Sequence, residues 1–371
     1  MISIIHVVGK MDRGGLETFV MNVLRNIDSN RFRCDILCTN CGVGDYDAEA
    51  QELGARIFNI GDDFQSYRGK LRFVGQFSEY RKWFLAHPYD VIHIHGSHAF
   101  DNLIAVEAAL NSGCKNVICH SHSSNGIHKL LNGLGASRLR KLPIIRLACS
   151  KEAGEWLYGS PDCFEVIKNG VDVGSFEFKD DLREKYRALF NIPNSTKVIA
   201  HTGRLVNVKN QAFLLDILAA LLDRDSYDWL LFLVGTGEDE EKLREKARNL
   251  EIENHVEFLG IRSDVSGILA MADVYVMPSI YEGLPLAAVE AQASGLPTVI
   301  SKEMSPETIL RSSTCMMELA LGADAWACAI DELASSARMW DRLLGAQEVR
   351  KAGFDISSTV ARLQSLYELS E

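Results

Sequence analysis

Two glutamates are associated with a short predicted helix in the second half of the chain, one before it and one within it. Glu282 precedes the helix in a turn, and Glu290 lies among alanines and a valine within it, where a carboxylate is rarely buried without a partner. The helix is predicted from Leu284 onward, because Pro285 suits the first turn and Gly295 suits the left-handed position after the last. The two carboxylates would then lie about 12 Å apart along the axis, where they can accept hydrogen bonds from hydroxyls at two ends of one ligand. The alternative is that Glu290 is exposed on the helix surface.

Two cations follow a predicted strand, Lys197–Thr202, in the same half. Arg204 comes soon after the strand, and Lys209 lies at or near the start of the next helix. A lysine is unfavourable there because the helix dipole is positive at its amino end, and a bound anion reverses that argument. Since Arg204 can reach the same anion, the pair is typical of a diphosphate clamp. The alternative is two ordinary surface cations.

Glycines after the first strand allow a ligand to approach the backbone closely. Gly14 and Gly15 precede a predicted helix at Leu16–Ile27. They do not form the G-x-G-x-x-G pattern of dinucleotide-binding domains, and neither do Gly235 and Gly237. The sequence also lacks the phosphate-loop pattern G-x-x-x-x-G-K-[ST]. A nicotinamide dehydrogenase and a kinase-like phosphate site are therefore poorly supported.

Four histidines lie at the ends of two predicted strands in the first half: His93, His95, His120 and His122. We expect them at the carboxyl ends of the strands, where open parallel sheets bind ligands. A zinc site is one interpretation, but no carboxylate pairs with them at a recognisable spacing. For His93 and His95 the prediction is a structural role in satisfying strand-end backbone groups.

Three cysteines have the C-x3-C-x2-C spacing of a radical iron–sulfur enzyme: Cys34, Cys38 and Cys41. Two of them, Cys34 and Cys38, share one face of the predicted strand Arg33–Thr39 with Ile36. A cluster-binding loop should not run along a strand, so we expect the thiols to be reduced and mostly buried.

Short apolar runs alternate with helix-length amphipathic segments along the whole chain, which is the pattern of parallel sheets built from strand–helix–strand units. The predicted strands are Ile2–Val8, Arg33–Thr39, Arg56–Ile60, Val91–His95, Asn116–His120, Leu147–Ser150, Phe164–Ile167, Lys197–Thr202, Trp229–Val234, Val256–Leu259, Val274–Met277 and Thr298–Ser301. The turn at Asn169 and Gly170 is the predicted domain boundary, because the excess of acidic residues begins after it. The tail from about Ala337 to Glu371 is predicted to be helical.

The net charge of −11 argues against nucleic acid as a partner. One stretch of the first half is nevertheless basic, with Lys115, Lys129, Arg138, Arg140, Lys141 and Arg146. Such a stretch is typical of a surface for anionic lipid or a phosphorylated acceptor, and a solvated face is the alternative.

The apolar runs fall short of the ~20 residues that span a membrane, and a strand-like run follows Met1 directly. We therefore expect a cytoplasmic protein with peripheral contact at the inner face of the membrane.

The glutamate pair and its surroundings resemble a known family. Glu282 and Glu290, with Gly-Leu-Pro after the first and Ala-x-x-x-Gly-x-Pro after the second, are similar to the E-x7-E signature of the retaining GT-B glycosyltransferases of family four (group 1). The similarity is to the bacterial capsule and exopolysaccharide enzymes in particular. The glycine loop at residues 14–17, the linker at 169–172 and the basic loop at 203–210 occur in the order found in that family, so the resemblance covers nearly the whole chain.

The resemblance implies an α/β protein of GT-B architecture, with two Rossmann-like parallel-sheet domains that face a central crevice. Residues 1–170 would form the acceptor-side domain and residues 171–350 the nucleotide-sugar donor domain. Residues 351–371 would form a C-terminal helix that packs back on the first domain.

The resemblance also implies site residues. Those implied to bind the donor are Gly15, Arg204, Lys209, Glu282, Gly283, Leu284 and Glu290. The first three would lie at the diphosphate, the next three at the sugar, and the last at the ribose. His120 would lie beside the sugar and the acceptor, with His122 as an alternative, and would be catalytic together with Arg204, Lys209 and Glu282. After the predicted helix that carries Glu290, residues 301–306 depart from the family pattern.

The implied reaction is transfer of a hexose from a nucleotide diphosphate sugar to a hydroxyl of a sugar or lipid-linked acceptor, with retention, in polysaccharide biosynthesis. UDP-sugars are the favoured donors and GDP-sugars come second. Fixed cations at the leaving group stabilise the charge that a metal stabilises elsewhere, so we predict no metal and no cofactor. The alternatives are a nucleotide-sugar epimerase of the same fold and a non-catalytic nucleotide-sugar-binding subunit.

Overall fold

The computed structural model describes residues 1–65, 71–123, 129–224, 226–282, 284–336 and 339–369. The chain forms two compact units, one of residues 1–170 with 356–371 and one of residues 171–355. Each unit has a parallel sheet with helices on both faces, and each has its own apolar core. Two Rossmann-like units of this kind confirm the predicted fold class.

The sheet of the first unit has the strand order β3-β2-β1-β4-β5-β6-β7. Its strands are β1 Ile2–Val8, β2 Phe32–Cys38, β3 Ile57–Asn59, β4 Val91–Gly96, β5 Asn116–Ser121, β6 Ile145–Ala148 and β7 Glu165–Val166. The order reverses between β1 and β4, and ligands of open parallel sheets bind beside the carboxyl ends of strands at such a point. Strands β4 and β5 are buried almost throughout, because helices cover both of their faces.

The helices of the first unit are α1 Gly15–Asn26, α2 Asp47–Glu52, α3 Gly61–Gln65, α4 Leu71–Ala86, α5 Ala99–Asn111, α6 Lys129–Leu139, α7 Lys151–Tyr158 and, at the end of the chain, α17 Ile356–Tyr367. Helices α1 and α17 share one apolar core with β1 and β2. Helices α4 to α7 enclose the other core, on the opposite face of the sheet. Within the described part of the chain, no helix combines the length and apolarity needed to cross a membrane.

The sheet of the second unit has the order β10-β9-β8-β11-β12-β13 and reverses between β8 and β11. Its strands are β8 Lys197–Thr202, β9 Trp229–Val234, β10 Val256–Gly260, β11 Val274–Met277, β12 Thr298–Ser301 and β13 Thr314–Met317. Its helices are α8 Val173–Phe176, α9 Asp180–Leu189, α10 Gln211–Leu222, α11 Glu240–Asn249, α12 Val265–Met271, α13 Leu286–Ala293, α14 Ala323–Ser336, α15 Met339–Arg342 and α16 Gly345–Lys351. The loops after β8 and β11 therefore lie side by side at the switch point.

The final helix, α17, belongs to the first unit. Asp28 N donates a hydrogen bond to Gln364 Oε1 at 3.0 Å, and Arg362 forms an ion pair with Glu165 at 2.7 Å. The first predicted boundary, after residue 170, is also where the two units divide. The chain returns to the first unit at residue 356 rather than 351, because α16 and the buried Phe354 pack in a core of the second unit.

The predicted strands of the second unit match the structure within one residue, because each is a mainly apolar run between polar turns. One prediction in the first unit is displaced: β6 begins at Ile145, two residues before the predicted start at Leu147. Strand β13 was missed, since its four residues are only partly buried and show no alternation.

Candidate functional site

Lys209 and Glu282 meet in the second unit. The ammonium of Lys209 forms an ion pair with the Glu282 carboxylate, and the two side chains are 17% and 18% exposed. Lys209 ends a 3-10 turn in the loop after β8, and Glu282 lies in the loop after β11. The topological switch point of this sheet therefore carries one cation and one carboxylate of the predicted donor site, already paired.

Backbone and side-chain hydrogen bonds join the two loops that carry this pair. Ile280 N donates to Val208 O at 2.8 Å, and Asn210 Nδ2 donates to Pro278 O at 3.0 Å. Asn210 has a φ of 57°, a left-handed conformation that asparagine tolerates better than most residues. The ion pair is therefore held between two loops that are fixed to each other.

Arg204 lies in the same loop as Lys209, with its side chain exposed. Its carbonyl accepts a hydrogen bond from Gln211 Nε2 at 2.8 Å, and Gln211 Nε2 also lies 3.2 Å from His201 Nε2. Among the residues that the structure describes, the guanidinium forms no ion pair. The backbone of Arg204 is thus fixed while its charge remains available to an anion.

The Gly235-Thr236-Gly237 segment has a packing role. A Cβ at Gly235 would lie 2.1 Å from Gly203 O, and one at Gly237 would lie 2.1 Å from Leu205 O. These are distances that no side chain can occupy. The two glycines therefore allow the loop after β9 to pack against the loop that carries Arg204.

Glu290 lies on α13 and is partly buried, so it is not the exposed residue of the alternative interpretation. Burial raises the pKa of its carboxyl to about 7.

Tyr275 on β11 lies near both glutamates. Burial raises the pKa of Tyr275, and the negative charges of Glu290 and Glu282 raise it further. The Tyr275 hydroxyl is hydrogen-bonded to Thr202 Oγ1 at 3.1 Å, at the end of β8. Both predicted carboxylates therefore contribute negative charge near one hydroxyl beside the switch point. The sequence analysis missed Tyr275, although a tyrosine in a buried strand signals a hydroxyl that needs a partner.

Helix α13 begins two residues later than predicted. It runs Leu286–Ala293, and Pro285 is the extended N-cap residue instead of lying in the first turn. The preceding segment is held by a β-bridge between Glu282 and Met304, which accounts for the late start. Gly295 has a φ of 72°, and this confirms the predicted left-handed position after the helix.

Three predicted donor ligands would act through the backbone. Gly15 is the first residue of α1, and a Cβ added to it would meet nothing within 4 Å. A Cβ at its neighbour Gly14 would lie 2.4 Å from Glu17 Oε2, so the side chain of Glu17 covers Gly14. The space beside Gly15 is open, and the contact of Gly15 with a donor stays a prediction. Leu284 is partly buried before α13, and Gly283 lies outside the described residues.

Five histidines of the first unit form one cluster on the face of the sheet that α1 and α17 cover: His6, His93, His95, His120 and His122. His6 of β1 is the register partner of His93, and His95 of β4 is the register partner of His120. The centroids of the His93 and His95 rings lie 4.0 Å apart, and those of His120 and His122 lie 4.2 Å apart. The sequence analysis missed His6, although a histidine within the apolar run of β1 was the signal for it.

Ring nitrogens of the cluster bond to one another. His95 is central: its Nε2 lies 2.9 Å from His6 Nδ1, and its Nδ1 lies 2.9 Å from His122 Nε2. His93 Nδ1 lies 2.9 Å from the hydroxyl of Tyr367 on α17. The predicted role of His93 and His95 in satisfying strand-end backbone groups is therefore wrong, because their partners are side chains that the sequence places far away.

The histidines are neutral near pH 7. Burial lowers the pKa of His6 to about 4 and that of His122 to about 3. The pKa values of His93, His95 and His120 are also well below the ordinary value, first because of burial and then because neighbouring imidazoles repel added charge. Each ring therefore keeps an unprotonated nitrogen.

Three of the six residues in the basic stretch stabilise the first unit. Arg138 forms an ion pair with Glu107 at 2.9 Å, while Arg140 and Arg146 donate hydrogen bonds to backbone carbonyls. The side chain of Lys129 lies outside the described residues. The exposed lysines of the stretch are Lys115 and Lys141. The contiguous patch that the sequence suggested is therefore reduced to a few charges.

The predicted strand face with cysteines is confirmed. Cys34 and Cys38 lie on β2 and share an apolar core with Ile36. Burial raises the pKa of each of these thiols to about 12. Cys41 lies beyond the strand and donates a hydrogen bond to Asp62 Oδ1 at 2.9 Å. The spacing of the three residues thus reflects packing of a strand and its following loop.

The two parallel-sheet units define a GT-B glycosyltransferase fold. The structure is similar to the crystal structure of Alr3699/HepE from Anabaena in complex with UDP and glucose, with a TM-score of 0.77 over 98% of this chain and 99% of that chain, at 18% identity. It is also similar to WaaG, a glycosyltransferase involved in lipopolysaccharide biosynthesis, with a TM-score of 0.71 over 98% and 99% of the two chains, at 15% identity. At such identities the likeness establishes the fold.

Sequence comparisons give the family. The Glycosyltransferase Family 4 model matches residues 13–175, and the Glycosyl transferases group 1 model matches residues 183–339. The chain is 31% identical to a protein of Bacillus subtilis (strain 168) named as a glycosyltransferase, EpsF, over 99% of this chain and 96% of that one. It is 29% identical to the UDP-Gal:alpha-D-GlcNAc-diphosphoundecaprenol alpha-1,3-galactosyltransferase of Escherichia coli, over 57% of this chain and 58% of that one. The chain belongs to the group 1 glycosyltransferases of family 4, which confirms the resemblance seen in the sequence.

Proposed function

We propose that this glycosyltransferase moves a hexose from a UDP-sugar to a hydroxyl of a sugar or lipid-linked acceptor, with retention, in polysaccharide biosynthesis. The observation that carries the proposal is the ion pair of Lys209 and Glu282 at the switch point of the second sheet. A cation for a diphosphate and a carboxylate for sugar hydroxyls occur there together. Residues 171–350 would bind the donor and residues 1–170 the acceptor, with the C-terminal helix completing the first unit.

The leaving diphosphate is assigned to Lys209 and Arg204. Breaking the bond to the anomeric carbon leaves negative charge on the diphosphate and positive charge on the sugar. Cations that are already positioned stabilise that charge without reorganising. Lys209 is held by Glu282, and Arg204 has an exposed guanidinium on a fixed backbone. When a donor binds, Glu282 would accept hydrogen bonds from the sugar while the ammonium contacts the diphosphate. This arrangement needs no metal at the diphosphate.

The ribose is assigned to Glu290. With a pKa of about 7, its carboxyl changes protonation state near neutral pH. An ionised carboxylate accepts two hydrogen bonds from a pair of adjacent hydroxyls, which is the pattern that a ribose offers. The backbone of Gly15, which has open space beside it, is assigned to the diphosphate. His120 is assigned to the acceptor side of the reacting centre.

The relatives support a uridine donor and a polysaccharide product. The Escherichia coli relative is named for UDP-Gal and for an acceptor on diphosphoundecaprenol, and the Anabaena structure contains UDP and glucose. We extend these two properties, a uridine donor and a lipid-linked acceptor, to this protein. The family assignment favours a transferase over a nucleotide-sugar epimerase or a non-catalytic binding subunit.

Peripheral membrane contact is assigned to α6. Leu131 and Leu134 on this helix are 40% and 62% exposed, and the exposed Lys141 follows its end. Exposed leucines next to cations are the combination by which peripheral proteins attach to anionic lipid. Such contact would bring the first unit to a lipid-linked acceptor.

Product analysis tests the reaction. The purified protein is incubated with UDP-hexoses, with and without sugar or lipid-linked acceptors, and NMR gives the anomeric configuration of the product. We expect release of UDP that depends on the acceptor, and a product with the donor's configuration. An epimerised donor formed without acceptor, or tight donor binding with no turnover under any acceptor, would contradict the proposal.

A further inference from the structure

The histidine cluster contains more nitrogen atoms than its hydrogen bonds use. His120 is fully buried, and within the described ranges neither of its ring nitrogens has a hydrogen-bond partner. The same holds for one nitrogen on each of His6, His93 and His122. A buried polar nitrogen without a partner is unfavourable, so several of them in one place suggest a ligand that bonds to nitrogen.

Two sets of three histidines have ring nitrogens close enough to share a metal ion: one is His6, His93 and His95, and the other is His95, His120 and His122. The second set contains His120, whose two nitrogens both lack a partner among the described residues. The ligand atoms of this second set lie within 4.8 Å of one another. His95 Nδ1 and His122 Nε2 are 2.9 Å apart, and two histidine ligands of a tetrahedral zinc ion are about 3.3 Å apart. Both nitrogens of His120 are available, and its ring centroid is 4.2 Å from that of His122. Small side-chain rotations would bring the three rings around one ion.

Residues around these three rings would orient them. His6 is hydrogen-bonded to Nε2 of His95, so a proton on that nitrogen leaves a lone pair on Nδ1 of His95. That lone pair faces Nε2 of His122 and can bind a metal. The ring of Phe19 on α1 packs edge-on against His120 and near His122, with both centroid distances 5.1 Å. An outer hydrogen bond and an apolar cover are the surroundings that metal-binding histidines commonly have.

We propose that His95, His120 and His122 form a binding site for a zinc-like transition-metal ion within the first unit. The donor set is imidazole alone, which suits zinc, copper, nickel and cobalt and disfavours magnesium, calcium and manganese. His122 is only partly buried, so it lies on the side from which an ion can enter. This binding site is independent of the proposed reaction. One consequence rests on that reaction: because His120 is assigned beside the acceptor, bound zinc should inhibit transfer.

Metal titration of the full chain tests the site. After treatment with a chelator, zinc binding is measured by competition with a chromophoric chelator, and cobalt binding is measured by its visible spectrum. The variants are His95→Gln and His122→Gln, with His6→Gln for the orienting residue. The matched control is His87→Gln, because His87 is an exposed histidine of the same unit. Circular dichroism and thermal unfolding verify that each variant folds. If His95→Gln is unstable, the test rests on His122→Gln, because His122 is partly exposed.

We expect one zinc ion per chain and a four-coordinate cobalt spectrum. Loss of a ligand in His122→Gln should weaken zinc binding by more than about 100-fold, and loss of the orienting bond in His6→Gln by about 10–100-fold. His87→Gln should bind as the wild type does. Equal zinc affinity in wild type and His122→Gln would overturn the proposal. So would a six-coordinate cobalt spectrum, or zinc binding that is lost in His6→Gln but retained in His122→Gln.

Discussion

Lys209 and Glu282 form an ion pair in which each side chain is less than one fifth exposed. The two residues belong to loops that follow β8 and β11, the strands between which the order of the second sheet reverses. Hydrogen bonds between residues 207–210 and 278–280 hold those loops together. The charges that the proposed reaction needs are therefore in place before a donor binds.

Arg204→Ala should separate catalysis from stability. The guanidinium is exposed, so the free energy of unfolding should change by less than about 0.5 kcal/mol. Loss of a group that stabilises the leaving diphosphate should lower kcat/KM roughly 10²–10³-fold, about 3–4 kcal/mol of transition-state stabilisation. Steady-state kinetics with a UDP-sugar and denaturant unfolding provide the two measurements. Lys185→Ala, at an exposed lysine of α9, is the control and should leave both unchanged. Near wild-type turnover in Arg204→Ala would remove this residue from the site.

Gly15→Ala should stabilise the protein while weakening donor binding. The added methyl group meets no atom within 4 Å, and replacing glycine by alanine at a compatible position stabilises a protein by about 0.4–1 kcal/mol, because the unfolded chain has less freedom to lose. If the diphosphate lies against this backbone, the methyl group should raise the Kd for UDP several-fold. Gly133→Ala is a matched control, since Gly133 is also a helical glycine with open space beside it. Unchanged UDP affinity in Gly15→Ala, measured by titration calorimetry, would show that the donor does not approach Gly15.

Glu290 should make the stability of the donor-free protein depend on pH. Its pKa is raised from 4.5 to about 7 by burial, so the folded state binds this proton more tightly than the unfolded state does. The resulting stabilisation is complete below about pH 4.5 and is lost as the pH rises towards 7. Glu290→Gln should not lose stability in this way. Its free energy of unfolding should therefore rise by about 1–2 kcal/mol relative to that of the wild type between about pH 5 and pH 8, a modest amount because the residue is only partly buried.

Binding of UDP should show the opposite trend with pH. The ionised form of Glu290 accepts hydrogen bonds from the ribose, so UDP should bind the wild type more tightly as the pH rises through about 7. In Glu290→Gln this part of the pH dependence should disappear. Glu245→Gln, at an exposed glutamate of α11, is the control. Parallel pH profiles for wild type and Glu290→Gln, in unfolding and in UDP binding, would contradict the assignment.

Leu134→Glu should weaken binding to anionic vesicles. The side chain is 62% exposed on α6, so the change should leave the folded state intact while it replaces an apolar contact with a charge that anionic lipid repels. Sedimentation with vesicles of phosphatidylglycerol and phosphatidylcholine measures the bound fraction. Leu189→Glu is the control, at a leucine of the second unit that is 60% exposed. If wild-type protein sediments equally with neutral and anionic vesicles, the proposed membrane contact is wrong.

The strands were predicted well from the sequence because the pattern that indicates each strand lies within a few consecutive residues. Lys197–Thr202 and Val274–Met277 are short buried runs between polar turns, and both appear in the structure with those bounds. The left-handed Gly295 was also a local prediction, since a glycine after a helix has few other reasons to be there. The late start of α13 was not predictable, because it depends on a β-bridge to Met304.

Contacts between residues that are far apart in the chain could not be predicted from the sequence. Both glutamates and both cations could be named from their surroundings, but the pairing of Lys209 with Glu282 depends on two loops 73 positions apart being hydrogen-bonded together. His6 was overlooked because β1 looked like an ordinary apolar strand. Its importance appears only when the sheet places β1 beside β4 and α17 brings Tyr367 against His93.

The central claim, that Arg204 and Lys209 bind a diphosphate, is tested most directly by comparing the affinities of UDP and uridine. Calorimetry gives both affinities for wild type and for the double variant Arg204→Ala and Lys209→Ala. Two charge-assisted contacts to phosphate predict that UDP binds the wild type at least about 100-fold more tightly than uridine does, and that this ratio falls below about tenfold in the double variant. The same ratio in both proteins would contradict the account, because the two cations would then make no contact with the diphosphate.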